Sequence, residues 1–218
     1  LSSVSIYSDY GYLDKINEKS KTYPNSYYGT SKLLSQQYII EKCKDNNINY
    51  VILSPSNIIS TDNTPPYFLL NFIKSIAHNR FIFFGNKDYW LNYISIENVI
   101  KGVVFFIKKN KNNKEFILNT PILLKEAVNI ISDELDIKRP KINFPFCIGN
   151  FIFTSADIFS NLFHVESKFL KKSKFKEITN PTNIDGSSIT QYSGFKYSKS
   201  IKDSLKQLVI NYKKLKLV

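Results

Sequence analysis

The sequence predicts an α/β chain: part of a parallel sheet with helices packed on it, joined to a smaller mixed α/β lobe. Three observations predict it. Residues 1–53 read strand, helix, strand, the pattern of a βαβ unit. The run 49–53 is β-branched and almost wholly apolar at its end, as a strand buried on both faces of a parallel sheet is. The hydrophobic content of 43% over 218 residues supports one substantial core, or a domain plus a smaller lobe.

Taken in order, Val4-Ser5-Ile6-Tyr7 alternates small and apolar residues and reads as a strand entered from something upstream. Tyr23-Pro24-Asn25-Ser26 supplies a helix-start signal before Tyr27. From there to Lys44, Leu33, Leu34, Tyr38, Ile40 and Cys43 recur at helical spacing. After Thr64-Pro65-Pro66 a helix is expected over 67–79, then a short strand over 81–84 and a turn at Gly85-Asn86. A strand near 92–95 precedes a helix over 96–109, and a strand over 115–118 follows. Residues 123–135 again have helical spacing, 142–144 look like a strand end, and the aromatic-rich segment 144–163 reads as core or pocket wall. The last helix, 200–216, is amphipathic with lysines on its outer face. The division expected is 1–62, with 90–118 returning to it, against a lobe of 63–89 and 119–218.

A formal charge of +12 can attract nucleic acid, anionic lipid or phosphorylated substrates. Much of it follows from a chain rich in Lys, Asn, Ile, Tyr and Phe and poor in Gly, Pro, Arg and Ala. The lysines at 108–111 and 168–176 read first as solvated faces, and more sharply as a rim attracting a diphosphate; RNA ranks behind because no stacked aromatic-basic motif accompanies them. Cys43 and Cys147 read as two buried thiols in a reducing compartment, and His78 and His164 form no metal-ligand cluster. No leader and no run of 18 uncharged apolar residues is present, so the reading is cytoplasmic with no membrane span; a membrane-surface helix is the lesser alternative for 144–163, which Asp157 interrupts. The absence of Met, with Leu1 first, is read as a missing N-terminus.

Tyr28 and Lys32 are four apart on an expected helix and share a face. An ammonium beside a phenol favours the phenolate, so such a pair can exchange protons at neutral pH. Alone the pair is weak, since Tyr and Lys are abundant here. Its surroundings are specific. Ser2-Ser3-Val4-Ser5-Ile6-Tyr7 lies upstream, with Ser3 25 residues before Tyr28; Glu18 follows, and then Pro24-Asn25-Ser26-Tyr27-Tyr28-Gly29-Thr30-Ser31-Lys32.

These motifs resemble the extended short-chain dehydrogenase/reductase superfamily, the NAD-dependent epimerase/dehydratase proteins that modify nucleotide sugars. The resemblance implies a Rossmann-like sheet and a substrate-binding lobe, NAD or NADP as cofactor, and a nucleotide-diphosphate sugar as partner. A homodimer is the assembly it allows, and no nucleic acid is expected. It implies Tyr28 as acid/base, Lys32 holding the nicotinamide ribose, and Ser3 hydrogen-bonding the reacting oxygen, where a donor stabilises developing charge. Leu53-Ser54-Pro55-Ser56-Asn57 resembles the family's Leu-Arg-Pro-x-Asn element. That implies Pro55 against the nicotinamide and Asn57 on the substrate's phosphates, with Ser54 in place of the usual Arg. Trp90 to Val99 is similar to Arg-Asp-Tyr-Ile-His-Val-x-Asp-Val, with Leu91 where many members place a diphosphate-binding Arg. Ser5 and Asn92 join Ser3 and Asn57 as expected substrate contacts. Ser193-Gly194-Phe195-Lys196-Tyr197-Ser198 is similar to the family's closing Leu-Gly-Phe-x-Pro element.

The family opens with a strand, a Gly-x-x-Gly-x-x-Gly turn and a helix that holds the dinucleotide's pyrophosphate. The seven glycines of this chain never fall within three residues of one another, and Ser3 corresponds to roughly the family's fifth strand. The sequence therefore reads as the C-terminal two-thirds of an enzyme. Sugar dehydratases of the family carry Asp-Glu after the hydroxyl residue, where this chain has Val4-Ser5. The expectation is an epimerase or keto-sugar reductase serving polysaccharide synthesis, with a non-catalytic or partner-dependent relative as the alternative.

Overall fold

The computed structural model describes residues 1–7, 15–60, 67–85, 88–109, 113–163, 175–176, 179 and 182–218. The expected features at Thr64-Pro65-Pro66, Asn86, Asn110-Lys111, His164 and Lys168 to Lys174 lie outside these residues. The chain forms an α/β structure of two compact units: 1–64 with 92–121 and 182–204, and 65–91 with 122–181 and 205–218.

In the first unit, β2 (Val51–Pro55) pairs in parallel with β7 (Lys114–Leu118), from Val51 opposite Lys114 to Pro55 opposite Leu118. Leu1 to Ser3 continues beside β2, where the Ser2 amide donates to the Leu53 carbonyl at 2.8 Å. β3 (Asn57–Ile59) pairs in parallel with β6 (Tyr93–Ser95), and β1 (Lys15–Ile16) with β10 (Asn183–Ile184). β7 alternates between two clusters, as a strand covered on both faces must. Phe116 and Leu118 join Leu53, Ile94, Val99, Ile189 and Phe195, while Ile117 joins Ile6, Tyr7, Ile16 and Ile184. Helix α3 (Ile96–Lys108) covers the first cluster, with Val99 in it and Gly102 facing Leu118 and Leu53. Helix α1 (Tyr27–Asp45) supplies Leu33 to the second.

Val4–Tyr7, expected as a strand, is a 3₁₀ turn. The physical reason is local: the Ser5 amide donates to Ser3 Oγ at 3.2 Å and the Ile6 amide to the Ser3 carbonyl at 3.4 Å, and these bonds displace a ladder. The turn buries Ile6 and Tyr7 where a straight strand would carry them past the core. Residues 182–204, read from the sequence as part of the lobe, pack with the first unit. There β10 meets β1, and the buried Asn98 holds 198–199, its Oδ1 accepting from the Ser198 amide at 2.8 Å and its Nδ2 donating to the Lys199 carbonyl at 2.8 Å. Short helix α6 (Ser188–Ser193), ending on left-handed Gly194, lies in this stretch.

A half-buried Glu115 on β7 accepts from Gln36 Nε2 at 2.7 Å, while Gln36 Oε1 is buried without a partner. Burial pushes the Glu115 carboxyl above its ordinary range; the Gln36 bond opposes this and the Glu18 charge adds to it. A carboxyl whose folded pKa is raised costs stability once pH climbs through that pKa, and costs nothing below its unfolded one. Glu115→Gln is expected to raise the melting temperature at pH 7 and leave it unchanged near pH 4, read by thermal scans at both. The amide would pair reciprocally with Gln36 and satisfy its orphaned oxygen.

In the second unit, helix α2 (Tyr67–Ala77) packs on α4 (Leu124–Glu134), burying Ile73, Ile76, Val128 and Ile131. β4 (Phe83–Phe84) pairs in parallel with β9 (Asn143–Phe144), and β5 (Trp90–Leu91) runs antiparallel to β8 (Ile122–Leu123). The aromatic segment forms α5 (Phe146–Phe163), seated on Phe84 and Phe175 through Phe153. From Leu205 on, helix α7 (Ile201–Lys214) belongs to this unit, burying Leu205, Leu208, Val209 and Tyr212 and turning Lys206 and Lys213 to water. No described helix is long and apolar enough to cross a membrane. Both cysteines are free, and neither is the buried thiol expected: Cys43 lies at the end of the α1 stripe of Gly29, Leu33, Gln36 and Ile40 and is only half-buried, while Cys147 is exposed, off the α5 stripe of Gly149 and Phe153.

Candidate active site

Ser3 ends the extended segment beside β2 and is buried, its Oγ donating to Ser5 Oγ at 3.0 Å and accepting from the Ser5 amide. The hydroxyl is thus held in one rotamer, with one lone pair left for a ligand. Opposite this turn begins α1. Ser26 caps it by accepting from the Gly29 amide at 3.1 Å, satisfying a donor the helix start would leave orphaned. Gly29 permits contact between helix and turn, since a Cβ there would lie 2.5 Å from the Ser5 carbonyl oxygen and 3.1 Å from Pro24 Cβ. That approach holds the helix start, and Tyr28 with it, against the Ser3–Ser5 turn.

Tyr28 is 55% exposed, an open phenol on the first turn. Lys32, one turn on, holds its Nζ 5.7 Å from the centre of the Tyr28 ring, a cation over an aromatic face. Ser31 Oγ donates to the Tyr28 carbonyl at 2.8 Å and steadies that turn. Gly29→Ala is expected to destabilise the fold by about 1–3 kcal/mol, because a methyl pressed on a backbone oxygen forces helix and turn apart. Chemical denaturation measures it, and turnover of the whole enzyme should fall with it.

Pro55 closes β2, buried, and the next amide, of Ser56, donates to the Leu118 carbonyl at 3.0 Å. The hydroxyls of Ser56 and Ser2 are buried without a hydrogen-bond partner. Asn57 is exposed and its amide donates to the Asn92 carbonyl at 3.3 Å. Asn92 is the other asparagine expected to contact substrate. It is buried, with Nδ2 donating to the Thr182 carbonyl at 2.9 Å and Oδ1 accepting from Asn119 Nδ2 at 3.0 Å and the Ile184 amide at 3.1 Å. Those bonds leave it one N–H, and it ties 182–184 to the sheet.

Sequence reasoning did not single out Asn119, which donates to both Asn92 and the Ile184 carbonyl, nor Gly186, where a Cβ would strike the Asn119 backbone at 2.6 Å. Tyr197 Oη donates to the Gly186 carbonyl at 2.9 Å, and burial raises its pKa well above the ordinary phenol. Glu18, noted only as part of the motif, accepts from the Ile117 amide at 2.7 Å and from Ser188 Oγ, satisfying an otherwise unpaired donor of β7. Leu91 and Ser54, at the two positions where the family resemblance places an Arg, are both buried.

Ser3, Ser5, Tyr28, Lys32, Pro55 and Asn57 therefore share one unit. The open phenol with an ammonium over its ring is a donor set that fits the hydroxyl-rich ribose end of a nicotinamide dinucleotide.

Comparison with known proteins gives the same direction. Residues 1–121 match the model of the NAD dependent epimerase/dehydratase family. No curated protein matches the chain. Among solved structures, UDP-glucuronic acid 4-epimerase from Bacillus cereus in complex with NAD is similar at 16% identity and TM-score 0.67, over 98% of this chain and 60% of that one. UDP-glucose 4-epimerase from Thermotoga maritima with UDP-glucose is similar at 14% identity and TM-score 0.66, over 98% and 62%. RMD from Pseudomonas aeruginosa complexed with NADPH is similar at 12% identity and TM-score 0.66, over 98% and 65%. At these identities the likeness is one of fold, and the chain spans 60–65% of their lengths.

Proposed function

Because the chain belongs to the NAD dependent epimerase/dehydratase family, we propose that it forms the hydride-transfer end of an NAD(P)-dependent enzyme that epimerises a nucleotide-diphosphate sugar or reduces its keto form. The carrying observation is the Ser3–Ser5 turn meeting the start of α1 through Gly29, with Tyr28 open and Lys32 over its ring. NAD or NADP, when bound, supplies a hydride acceptor and donor at its nicotinamide ring. The relatives in fold that are bound to NAD, NADPH and UDP-glucose support that choice of cofactor and substrate class.

As a sugar C–H bond gives up its hydride, the adjoining O–H must give up a proton, and Tyr28 Oη takes it. Lys32 stabilises the charge the phenol carries between losing and regaining that proton, and offers its ammonium to the ribose hydroxyls. Ser3 Oγ, whose proton rests on Ser5 Oγ in the free site, turns that O–H toward the sugar oxygen as the sugar proton leaves for Tyr28, and so stabilises the carbonyl oxygen formed. Pro55, which closes β2 and carries no N–H, would lie against the nicotinamide. Asn57, exposed at the start of β3, contacts the diphosphate, while Asn92 positions the strand behind it. With Val4-Ser5 after Ser3, the acid and base that elimination needs are not supplied there, so epimerisation or reduction is favoured over dehydration. A cytoplasmic location and a possible homodimer go with this reading.

The test incubates the natural full-length gene product with UDP-, dTDP- and GDP-hexoses and either cofactor. Interconversion of C4 epimers by NMR at constant nicotinamide absorbance supports an epimerase, and consumption of reduced cofactor supports a reductase. Neither signal, together with no binding of NAD or NADP by calorimetry, would overturn the proposal.

A further inference from the structure

Residues 141–152 carry an outward apolar surface that the reaction does not use. Every one of them except Gly149 is exposed, including Ile142, Phe144, Phe146, Ile148 and Ile152, and Phe151 is 73% exposed. Large aromatic and branched side chains in water, contiguous along one strand end and one helix, mark an interaction site rather than scatter. The inner side of α5 is already filled. A Cβ on Gly149 would meet the Phe175 ring at 2.6 Å and Phe84 at 2.7 Å, and Phe153 stacks on Phe175 at 4.7 Å. The helix therefore cannot roll inward to hide Ile148, Phe151 and Ile152.

Charge identifies the occupant. From Lys138 to Ala156 there is no acidic residue, and Lys138, Arg139 and Lys141 lead directly into the apolar run. Lys213 Nζ donates to the Glu134 carbonyl at 2.8 Å and lies 3.6 Å from Asp136, which brings the end of α7, with Lys214 and Lys216, beside the turn that leads to Lys138. Asp133 and Arg139 neutralise each other in a two-pronged pair, at 2.9 and 2.7 Å, so the rim is carried by Lys138 and Lys141 with Lys214 and Lys216 beside them. The result is an aromatic-aliphatic face with a cationic rim, the arrangement of elements that lie in the headgroup layer of a bilayer. A second copy suits it less, because a two-fold pairing would set like charges of the rim against each other.

We propose that the outward face of 142–152, with its lysine rim, docks the protein on an anionic lipid surface, Phe151 and Ile152 entering the headgroup boundary without spanning it. The inference is independent of the reaction assigned above.

The experiment is co-sedimentation of the full natural chain with vesicles of equal parts phosphatidylglycerol and phosphatidylcholine, against vesicles of phosphatidylcholine alone. Binding to the mixed vesicles, weak binding to the neutral ones, and a fall with added salt are expected. Phe151→Ser with Ile152→Ser should lower the partition coefficient on the order of tenfold or more, and Lys138→Glu with Lys141→Glu by roughly tenfold or more, both with unchanged far-UV circular dichroism. If the serine pair disturbs folding, the charge pair alone decides. Absence of sedimentation with mixed vesicles, or equal sedimentation of the charge variant, overturns the proposal. So does a dimer in analytical ultracentrifugation that the serine pair dissociates, which would assign the face to a second copy.

Discussion

Tyr28→Phe in the complete enzyme is expected to lower kcat about 10²–10⁴-fold, the range a positioned acid/base contributes, while leaving the melting temperature unchanged. The stability half of this expectation rests on exposure. The Tyr28 side chain is more than half in water and its carbonyl, not its hydroxyl, is what Ser31 uses, so removing the oxygen breaks no internal bond of the fold. Because proton transfer accompanies hydride transfer, both halves of an epimerisation should slow together, whereas cofactor affinity by calorimetry should change little. Lys32→Met should weaken cofactor binding as well as turnover, since its ammonium serves both the ribose and the phenol. Unchanged turnover for Tyr28→Phe would remove the basis of the proposed mechanism.

The largest effect on stability is expected from Asn92→Ala. One side chain serves three buried partners: the Thr182 carbonyl, the Ile184 amide and Asn119 Nδ2. Truncation strands all three away from water, and each stranded group costs about 1–3 kcal/mol. A total of about 3 kcal/mol or more corresponds to a melting temperature lower by roughly 6–12 °C for a chain of this size. The readout separates two roles. If Asn92 acts through the fold, Asn92→Ala lowers the melting temperature with or without substrate, and kcat and KM of the surviving folded fraction stay near wild type. If it is instead a substrate ligand, KM rises while the melting temperature holds. Asn119→Leu should be nearly as costly, since it removes the donor shared between Asn92 and the Ile184 carbonyl.

The chain's own order determined its local structure. Ser26 before Tyr27, with apolar residues at helical spacing to Cys43, suffices for α1, because capping and periodicity act within one or two turns. The β-branched end of 49–53 suffices for a doubly covered strand, and Ser95 before Ile96 for the start of α3. The motifs around Ser3, Tyr28 and Lys32 single out that hydroxyl, phenol and ammonium through their resemblance to the family.

Tertiary structure decided what depends on partners far along the chain. Val4–Tyr7 has a strand's composition and became a turn because the Ser3 side chain competes for backbone donors and the core needs Ile6 and Tyr7 inward. Glu18 reaches Ile117, 99 residues away, and Asn92 reaches Ile184, 92 residues away. No periodicity or propensity encodes such pairs, since an Asn or Glu reads the same whether its partner is water, ligand or backbone. Only burial, which removes water as a partner, makes those distant hydrogen bonds obligatory, and burial is a property of the folded chain.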